Sequence, residues 1–117
     1  MADWARPVVI FEIRGEHREK LQDFDRALFN WKIEDSNPLF GQIESGIGGP
    51  EPGPVGILVP GAPGVTIYVQ VLDLRASCDK ATTLGGSIIL EPTAVGEALT
   101  IARIADPEGT QIGLVQQ

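Results

Sequence analysis

The 117-residue sequence predicts an α+β fold made of two successive βαβββ modules, at about 7–60 and about 64–117. The first observation is that the same order of predicted elements, one strand, one helix and three strands, occurs in each half of the chain. The second is a strand–turn–strand pattern at the end, centred on Asp106-Pro107-Glu108-Gly109. Proline fixes φ in such a turn and glycine accepts a positive φ. A chain of this length buries a core without staples, so we expect a single domain.

The first module opens with a strand at 8–13, which is rich in β-branched and aromatic residues. From Glu16 the apolar residues follow helical spacing, and Leu21, Phe24, Leu28 and Phe29 are predicted to form the buried face of a helix. Asn30 is expected to end this helix in a left-handed conformation. Three further strands are predicted at 31–34, 40–44 and 55–59. The Gly/Pro-rich loop Gly46–Pro54 is either a cover for a cleft or a plain connector.

The second module repeats this order. A strand at 65–71 alternates apolar and polar residues, and Asp73 is a suitable N-cap for the helix that follows. That helix carries Leu74, Cys78, Ala81 and Leu84 on one side and is expected to stop at Gly85-Gly86. A strand at 87–90 and a bend at 91–93 precede the closing hairpin, which is predicted at 99–105 and 110–115.

Composition excludes several classes of protein. The net charge of −7 argues against nucleic acid as a partner, because phosphates require a basic surface. No apolar run approaches the ~20 residues that span a membrane, and Met1-Ala2-Asp3-Trp4 does not have the pattern of a signal peptide. The single cysteine excludes an internal disulfide and fits a reducing compartment. We therefore expect a cytoplasmic protein without a membrane partner.

Four stretches resemble a known family. The segment Phe24-Asp25-Arg26-Ala27-Leu28-Phe29-Asn30-Trp31 is similar to its helix end, Phe-Tyr-x-x-Leu-Phe-Gly-Trp, and departs from it at Asp25 and Asn30. The other three are Tyr68-Val69-Gln70-Val71-x-Asp73, Leu84-Gly85-Gly86 and the stretch from Asp106 to Leu114. From about Pro7 to Val115 the chain resembles the vicinal oxygen chelate superfamily of glyoxalases, bleomycin-resistance proteins and extradiol dioxygenases. The resemblance implies a curled mixed β-sheet with the helices on its outer face.

Metal-dependent members of that family hold a divalent cation on four inward side chains, typically His, Gln or Glu. Carried over to this chain, those positions fall on Ile10, Thr66, Gly113 and close to Leu58. Only the weak hydroxyl of Thr66 among them offers a donor to a metal. We therefore predict no metal and no other cofactor.

Polar residues on the inward faces of the strands are the better site candidates. Glu12 could orient a ligand or act as a base, or it could simply pair with Arg14 or Arg103. His17, which lies among charged residues, is interpreted as a solvated side chain, and Cys78 as a small core residue. The residues predicted to line a ligand-binding cleft are Ile10, Glu12, Leu58, Thr66, Tyr68, Gln70, Arg103, Gln111 and Gly113.

The resemblance implies a glyoxalase/bleomycin-resistance-like protein whose metal-free cleft binds a small organic molecule. The alternative is an enzyme of the same superfamily, of lyase, isomerase or dioxygenase type, either metal-free or with an atypical site. A purely structural partner domain is a third possibility.

We expect a homodimer, because short chains of this family usually complete their clefts by pairing. Apolar inward residues such as Val8, Ile10, Leu58 and Val115 would leave surface to cover. Glu12, Glu44, Tyr68 and the negative net charge favour a neutral or cationic aromatic ligand, but a dominant Arg14 would reverse the preference to carboxylates or phosphates.

Overall fold

The computed structural model describes residues 5–46 and 53–117, so most of the Gly/Pro-rich loop at 46–54 lies outside the described residues. The predicted order β-α-β-β-β occurs twice, which confirms the α+β fold class. The elements are β1 (Val8–Gly15), α1 (Arg18–Phe29), β2 (Ile33–Glu34), β3 (Gly41–Ile43), β4 (Val55–Pro60), β5 (Gly64–Val71), α2 (Leu74–Thr83), β6 (Ser87–Val95), β7 (Leu99–Ala105) and β8 (Gln111–Gln116).

The chain divides into two compact units. The N-terminal unit is Val9–Thr66, and the C-terminal unit is Ile67–Gln117 together with the residues up to Val8. The division thus falls within β5, a few residues after the predicted joint between the modules.

In the N-terminal unit the strands lie in the order β2-β3-β4-β1. The first and last strands of the module, β1 and β4, are parallel, and the other pairs are antiparallel. Ile33, Ile43 and Leu58 form the buried core, and Phe11, Ile13 and Trp31 pack against it. Helix α1 covers this face of the sheet, since the side chain of Gln22 reaches Gly41, the register partner of Leu58.

The face that α1 turns inward is polar, and the predicted buried face is wrong. Gln22 and Asp25 are buried, with 2% and 6% of their surfaces exposed, whereas Phe24 and Leu28 are both 60% exposed and Phe29 is 50% exposed. Asn30 ends the helix with φ 61°, as expected. Helical spacing alone fits two neighbouring stripes on this helix, and the periodicity argument selected the one that faces outward.

Contacts distant in sequence fix the orientation of α1. Arg26 donates from Nη2 to the carbonyl oxygen of Ile33 at 2.7 Å. Arg18 donates to the backbone carbonyls of the connection between β2 and β3, at Asp35, Asn37 and Pro38. Leu21 lies over Gly15, where a Cβ atom would collide with it. The helix is therefore held mainly by charged side chains bound to carbonyl oxygens, and this arrangement leaves its aromatic stripe outside.

In the C-terminal unit the strands lie in the order β5-β8-β7-β6, again with the first and last strands of the module parallel. Here the helix packs through Leu74 and Cys78, as predicted, whereas Leu84, which was expected on the same side, is 67% exposed. The core consists of Val71, Leu74, Cys78, Ala102 and Leu114. Within the described residues, neither helix is long and apolar enough to cross a membrane.

Local hydrogen bonds fix both ends of this unit. Asp73 caps α2 by accepting from the backbone N–H of Ala76 at 3.0 Å, as expected. In the closing turn, Oδ1 of Asp106 accepts from the N–H groups of Glu108 and Thr110 at 3.0 and 2.9 Å. Gly109 has φ 90°, the positive value that the turn requires. The predicted hairpin is therefore confirmed.

The bend predicted at 91–93 is not a break between elements. Strand β6 runs through Pro92, with register irregularities before and after Leu90. The physical reason is that β6 lies at the end of the strand order, next to β7 alone. Proline is tolerated on such an edge because its missing N–H costs no ladder hydrogen bond.

Candidate functional site

A charge pair with a buried carboxylate lies on the face of the N-terminal sheet that faces away from α1. Side chains alternate along β1, so Phe11 and Ile13 face the core, whereas Glu12 and Arg14 lie on the other face. Glu12 is only 1% exposed. Nη1 of Arg14 donates to Oε2 of Glu12 at 2.5 Å and to Oγ1 of Thr66 at 2.6 Å. The pairing of Glu12 with Arg14, one of the alternatives considered from sequence, is therefore observed.

The equivalent place in the C-terminal unit carries an aromatic ring. Tyr68 follows Glu12 by 56 residues, and Gly113 follows Ile57 by the same 56, while Glu12↔Ile57 and Tyr68↔Gly113 are register pairs in their units. Tyr68 is 1% exposed, and its ring fills the space that a Cβ atom on Gly113 would need. Nε of Arg103 donates to the Tyr68 hydroxyl at 3.1 Å. Tyr68, Arg103 and Gly113 thus form a second polar cluster.

The other residues predicted for the cleft are Ile10, Gln70, Gln111 and Leu58. Ile10 is partly buried on the same face as Glu12, and Gln70 and Gln111 are partly buried in β5 and β8. Leu58 differs from the expectation. It belongs to the core with Ile33 and Ile43, on the face opposite to Glu12.

Two residues of this face were absent from the predicted cleft. Ile57 is the register partner of Glu12, and Val59 is the partner of Arg14. Arg14 itself, which the sequence reading treated only as a competitor of Glu12, occupies the centre of the cluster. Arg14 stands two residues after Glu12 and therefore lies on the same side of the strand, and this spacing could have identified it from the sequence.

The residues at the family's metal positions do not fit a divalent cation. Ile10, Leu58 and Gly113 bring no side-chain donor atom, and the space beside Gly113 is filled by the Tyr68 ring. The hydroxyl of Thr66 accepts a hydrogen bond from Nη1 of Arg14 at 2.6 Å. The carboxylate of Glu12 is bound to Arg14, which competes with any cation for its oxygens. Among residues 5–46 and 53–117 no cluster of His, Cys, Asp and Glu suits a metal ion.

The two other residues considered from sequence lie away from these clusters. His17 is exposed at the start of α1 and makes no capping hydrogen bond through its side chain. Cys78 is completely buried in the core beneath α2, and burial raises the pKa of its thiol. A buried thiol with a raised pKa is a poor nucleophile, so Cys78 is a core residue.

The C-terminal unit also contains a groove of about 850 Å³ between α2, residues 5–6 and the start of the closing turn. None of the predicted cleft residues lines it. Its walls include Val71 and Leu114, which belong to the core under α2, so the groove lies on the helix-covered side of the sheet.

No family model matches the sequence, and no curated protein matches it either. Solved structures do match the fold. A hypothetical protein from Bacillus halodurans C-125 is 12% identical with TM-score 0.75, covering 97% of this chain and 96% of its own. A methylmalonyl-CoA epimerase in complex with methylmalonyl-CoA and NH4+ is 12% identical with TM-score 0.72, covering 96% and 94%. A glyoxalase/bleomycin resistance protein/dioxygenase superfamily member from Vibrio splendidus 12B01 is 16% identical with TM-score 0.64, covering 97% and 100%.

These similarities establish the fold. The chain has the glyoxalase/bleomycin-resistance/dioxygenase fold of the vicinal oxygen chelate superfamily, as the sequence motifs indicated. At identities of 12% and 16%, the similarity does not carry a reaction or a ligand from those proteins to this chain.

Proposed function

We propose that this protein binds a small organic molecule, without a metal ion, on the sheet face that carries Glu12, Arg14 and Thr66. The observation that supports the proposal most is the buried carboxylate of Glu12, paired with an Arg14 side chain that is 25% exposed. Taking the Glu12 charge out of water costs several kcal/mol, and apolar residues in place of such a pair often serve stability as well or better. A role in recognition accounts for charges at this place better than a role in stability.

A variant that neutralises both Glu12 and Arg14 tests this proposal. The double variant Glu12→Gln, Arg14→Gln keeps a polar side chain at each position and removes both charges. We expect wild-type protein to retain a compound detectable by native mass spectrometry, or to be stabilised by members of a chemically diverse fragment set. The neutralised variant should lose these effects while keeping its circular dichroism spectrum. Identical retention and stabilisation in the two proteins would contradict binding at this face.

An enzyme of the same superfamily is the second candidate, and one observation favours it. A carboxylate that is 1% exposed on a sheet face is a possible base, and methylmalonyl-CoA epimerases have this fold. Such an activity would exchange the acidic α-hydrogen of an acyl thioester for deuterium in D2O. Exchange that requires the protein and disappears in Glu12→Gln would favour the enzyme. Without such exchange, the binding function stands.

We further propose that the chain forms a homodimer. Leu58 and Val115, which were expected to leave surface uncovered, are 1% and 3% exposed and are therefore not available to a partner. The outward stripe of α1, defined by Phe24 and Leu28, supports the proposal instead, because both are 60% exposed and large apolar side chains grouped on one helix face are typical of contact surfaces. A second copy of the same helix would cover the stripe symmetrically.

A further inference from the structure

Within the N-terminal unit, the guanidinium of Arg14 makes hydrogen bonds through only one of its nitrogen atoms. Both of its hydrogen bonds, to Glu12 and to Thr66, leave from Nη1. Nε and Nη2 make no hydrogen bond with any of the described residues. A guanidinium carries five N–H donors, and the Nε–Nη2 edge presents two of them side by side in the spacing of a carboxylate. Arg14 therefore keeps one complete bidentate edge available.

Two glycines of the joint between β4 and β5 make room for this side chain. A Cβ atom on Gly64 would lie 2.5 Å from Nη2 and 3.4 Å from Cζ, so any side chain there would displace the guanidinium. A Cβ atom on Gly61 would lie 3.5 Å from Cδ of Arg14. Gly61 also has φ 149°, a value that side chains rarely accept. Gly61 thus lies against the Arg14 stem, and Gly64, which has no side chain, lies beside Nη2 without displacing it.

The side chain is also held in place and accessible. Its partners, Glu12 and Thr66, are 1% and 2% exposed and cannot swing into solvent, whereas the Arg14 side chain is 25% exposed. A guanidinium fixed in this way loses little conformational entropy when it binds a second group.

From these contacts we infer that the Nε–Nη2 edge of Arg14 binds the carboxylate of the ligand, so that the protein selects monocarboxylic acids. This inference rests on the proposed function and names the ligand class for the same face. A monoanion fits better than a phosphate dianion, because Glu12 already neutralises Arg14 and the chain carries a net charge of −7. The preference for cationic aromatics considered from sequence assumed an unpaired Glu12, and this residue is paired.

Three matched probes test the inference: 3-phenylpropanoate, 3-phenylpropanamide and 3-phenylpropylamine, which share an aromatic tail and differ in the head group. Titration calorimetry of the wild type should give the tightest binding for the acid. Arg14→Lys keeps the charge but removes the paired N–H donors of the guanidinium. It should weaken binding of the acid about tenfold or more, while binding of the amide changes little.

Gly64→Ala provides a second variant, because it removes no charged group and disturbs only the position of the Arg14 guanidinium. It should also weaken binding of the acid more than binding of the amide. Arg75→Lys, on an exposed arginine of α2, and Gly53→Ala, at a glycine with open space around it, are the matched controls and should bind like the wild type. Inorganic phosphate serves as the second anion and should not compete with the acid.

The outcomes separate this inference from the proposed function. Equal binding of acid and amide, or acid binding that both variants leave unchanged, would overturn the role of Arg14 and leave small-molecule binding intact. Stronger binding of the amine, or competition by phosphate, would overturn the monocarboxylate preference. If none of the three probes binds, the carboxylate inference fails, while the native mass spectra of the neutralised variant still decide whether the face binds another molecule.

Discussion

The ring of Tyr68 lies directly over Gly113, its register partner across the parallel strands β5 and β8. A glycine at this position is therefore a packing requirement of the C-terminal unit. Gly113→Ala should lower the free energy of unfolding by about 1–3 kcal/mol, because the added methyl group overpacks the contact with the ring. Urea denaturation followed by fluorescence measures the difference.

The control for this prediction is Gly53→Ala, since a Cβ atom there meets nothing within 4 Å. Its effect should stay within about 0.5 kcal/mol. Combining Gly113→Ala with Tyr68→Leu should recover part of the loss, because the smaller side chain gives way. A Gly113→Ala protein as stable as the wild type would disprove the packing argument.

Asp25 should make the fold less stable as the pH rises. Burial raises the pKa of its carboxyl above the ordinary 3.8, and Oδ2 has no hydrogen-bond partner in the part of the chain that the structure describes. The folded state thus holds the Asp25 proton more tightly than the unfolded state does. Its contribution to stability is most favourable below pH 3.8 and declines as the pH rises from there through the raised pKa of the folded state.

Substitution separates this effect from that of the other carboxylates. Asp25→Asn should be more stable than the wild type at pH 7, and the advantage should shrink as the pH falls toward 4. Asp23→Asn, which changes an exposed residue of the same helix, should show no such trend. Thermal unfolding at a series of pH values gives the comparison, and parallel curves for Asp25→Asn and the wild type would contradict the assignment.

Cys78 should resist thiol reagents as long as the protein is folded. It is completely buried, and its raised pKa keeps the thiol protonated. Reaction with a disulfide reagent should be slow in buffer and immediate in denaturant. A Ser36→Cys variant supplies an exposed thiol for comparison. Equal rates at the two positions would show that the core beneath α2 opens readily.

The dimer prediction concerns the outward stripe of α1. Light scattering should give twice the chain mass of 12.5 kDa for the wild type. Phe24→Gln combined with Leu28→Gln should shift the mass toward the monomer, because it removes the apolar surface that a second copy covers. Leu84→Gln, at a residue 67% exposed in the other unit, is the control. A wild-type monomer at micromolar concentration would rule out this association.

Protein purified without chelator should contain far less than one transition-metal ion per chain. The reason is the donor set, since Ile10, Leu58 and Gly113 cannot coordinate a cation. The Thr66 hydroxyl and the Glu12 carboxylate are both bound to Arg14. Elemental analysis after dialysis measures the content, and the melting temperature should not change with added EDTA. Stoichiometric zinc, iron, nickel or manganese would contradict the prediction.

Sequence patterns predicted the order of the elements because strand alternation, helix caps and turn residues act within a few residues of each other. Asp73 and Asp106 are examples, since each bonds to backbone groups at most four positions away. The orientation of α1 could not be predicted in this way. It depends on Arg18 and Arg26 reaching carbonyl groups up to twenty residues further along the chain.

The sequence predicted which residues belong to the candidate site better than it predicted how those residues are arranged. The alternation of β1 placed Glu12 and Arg14 on one face, and the parity was correct. Leu58 was placed on the wrong face because the segment Val55-Gly56-Ile57-Leu58-Val59 has no polar residue, so alternation does not distinguish the two faces of β4. The open edge of Arg14 depends on Gly61 and Gly64, whose role appears only once the joint folds back against that side chain.

The polar inward face of α1 also bears on how firmly each unit holds its own helix. Gln22 stands 56 residues before Cys78, so the position that packs into the apolar core at α2 holds a buried amide at α1. Asp25 adds a buried carboxylate on the same helix. Water can take over the hydrogen bonds of α1 when the helix lifts, whereas it gains nothing from the side chains beneath α2. Amide hydrogens of α1 should therefore exchange with solvent ahead of those of α2, and a protease should reach the first helix before the second.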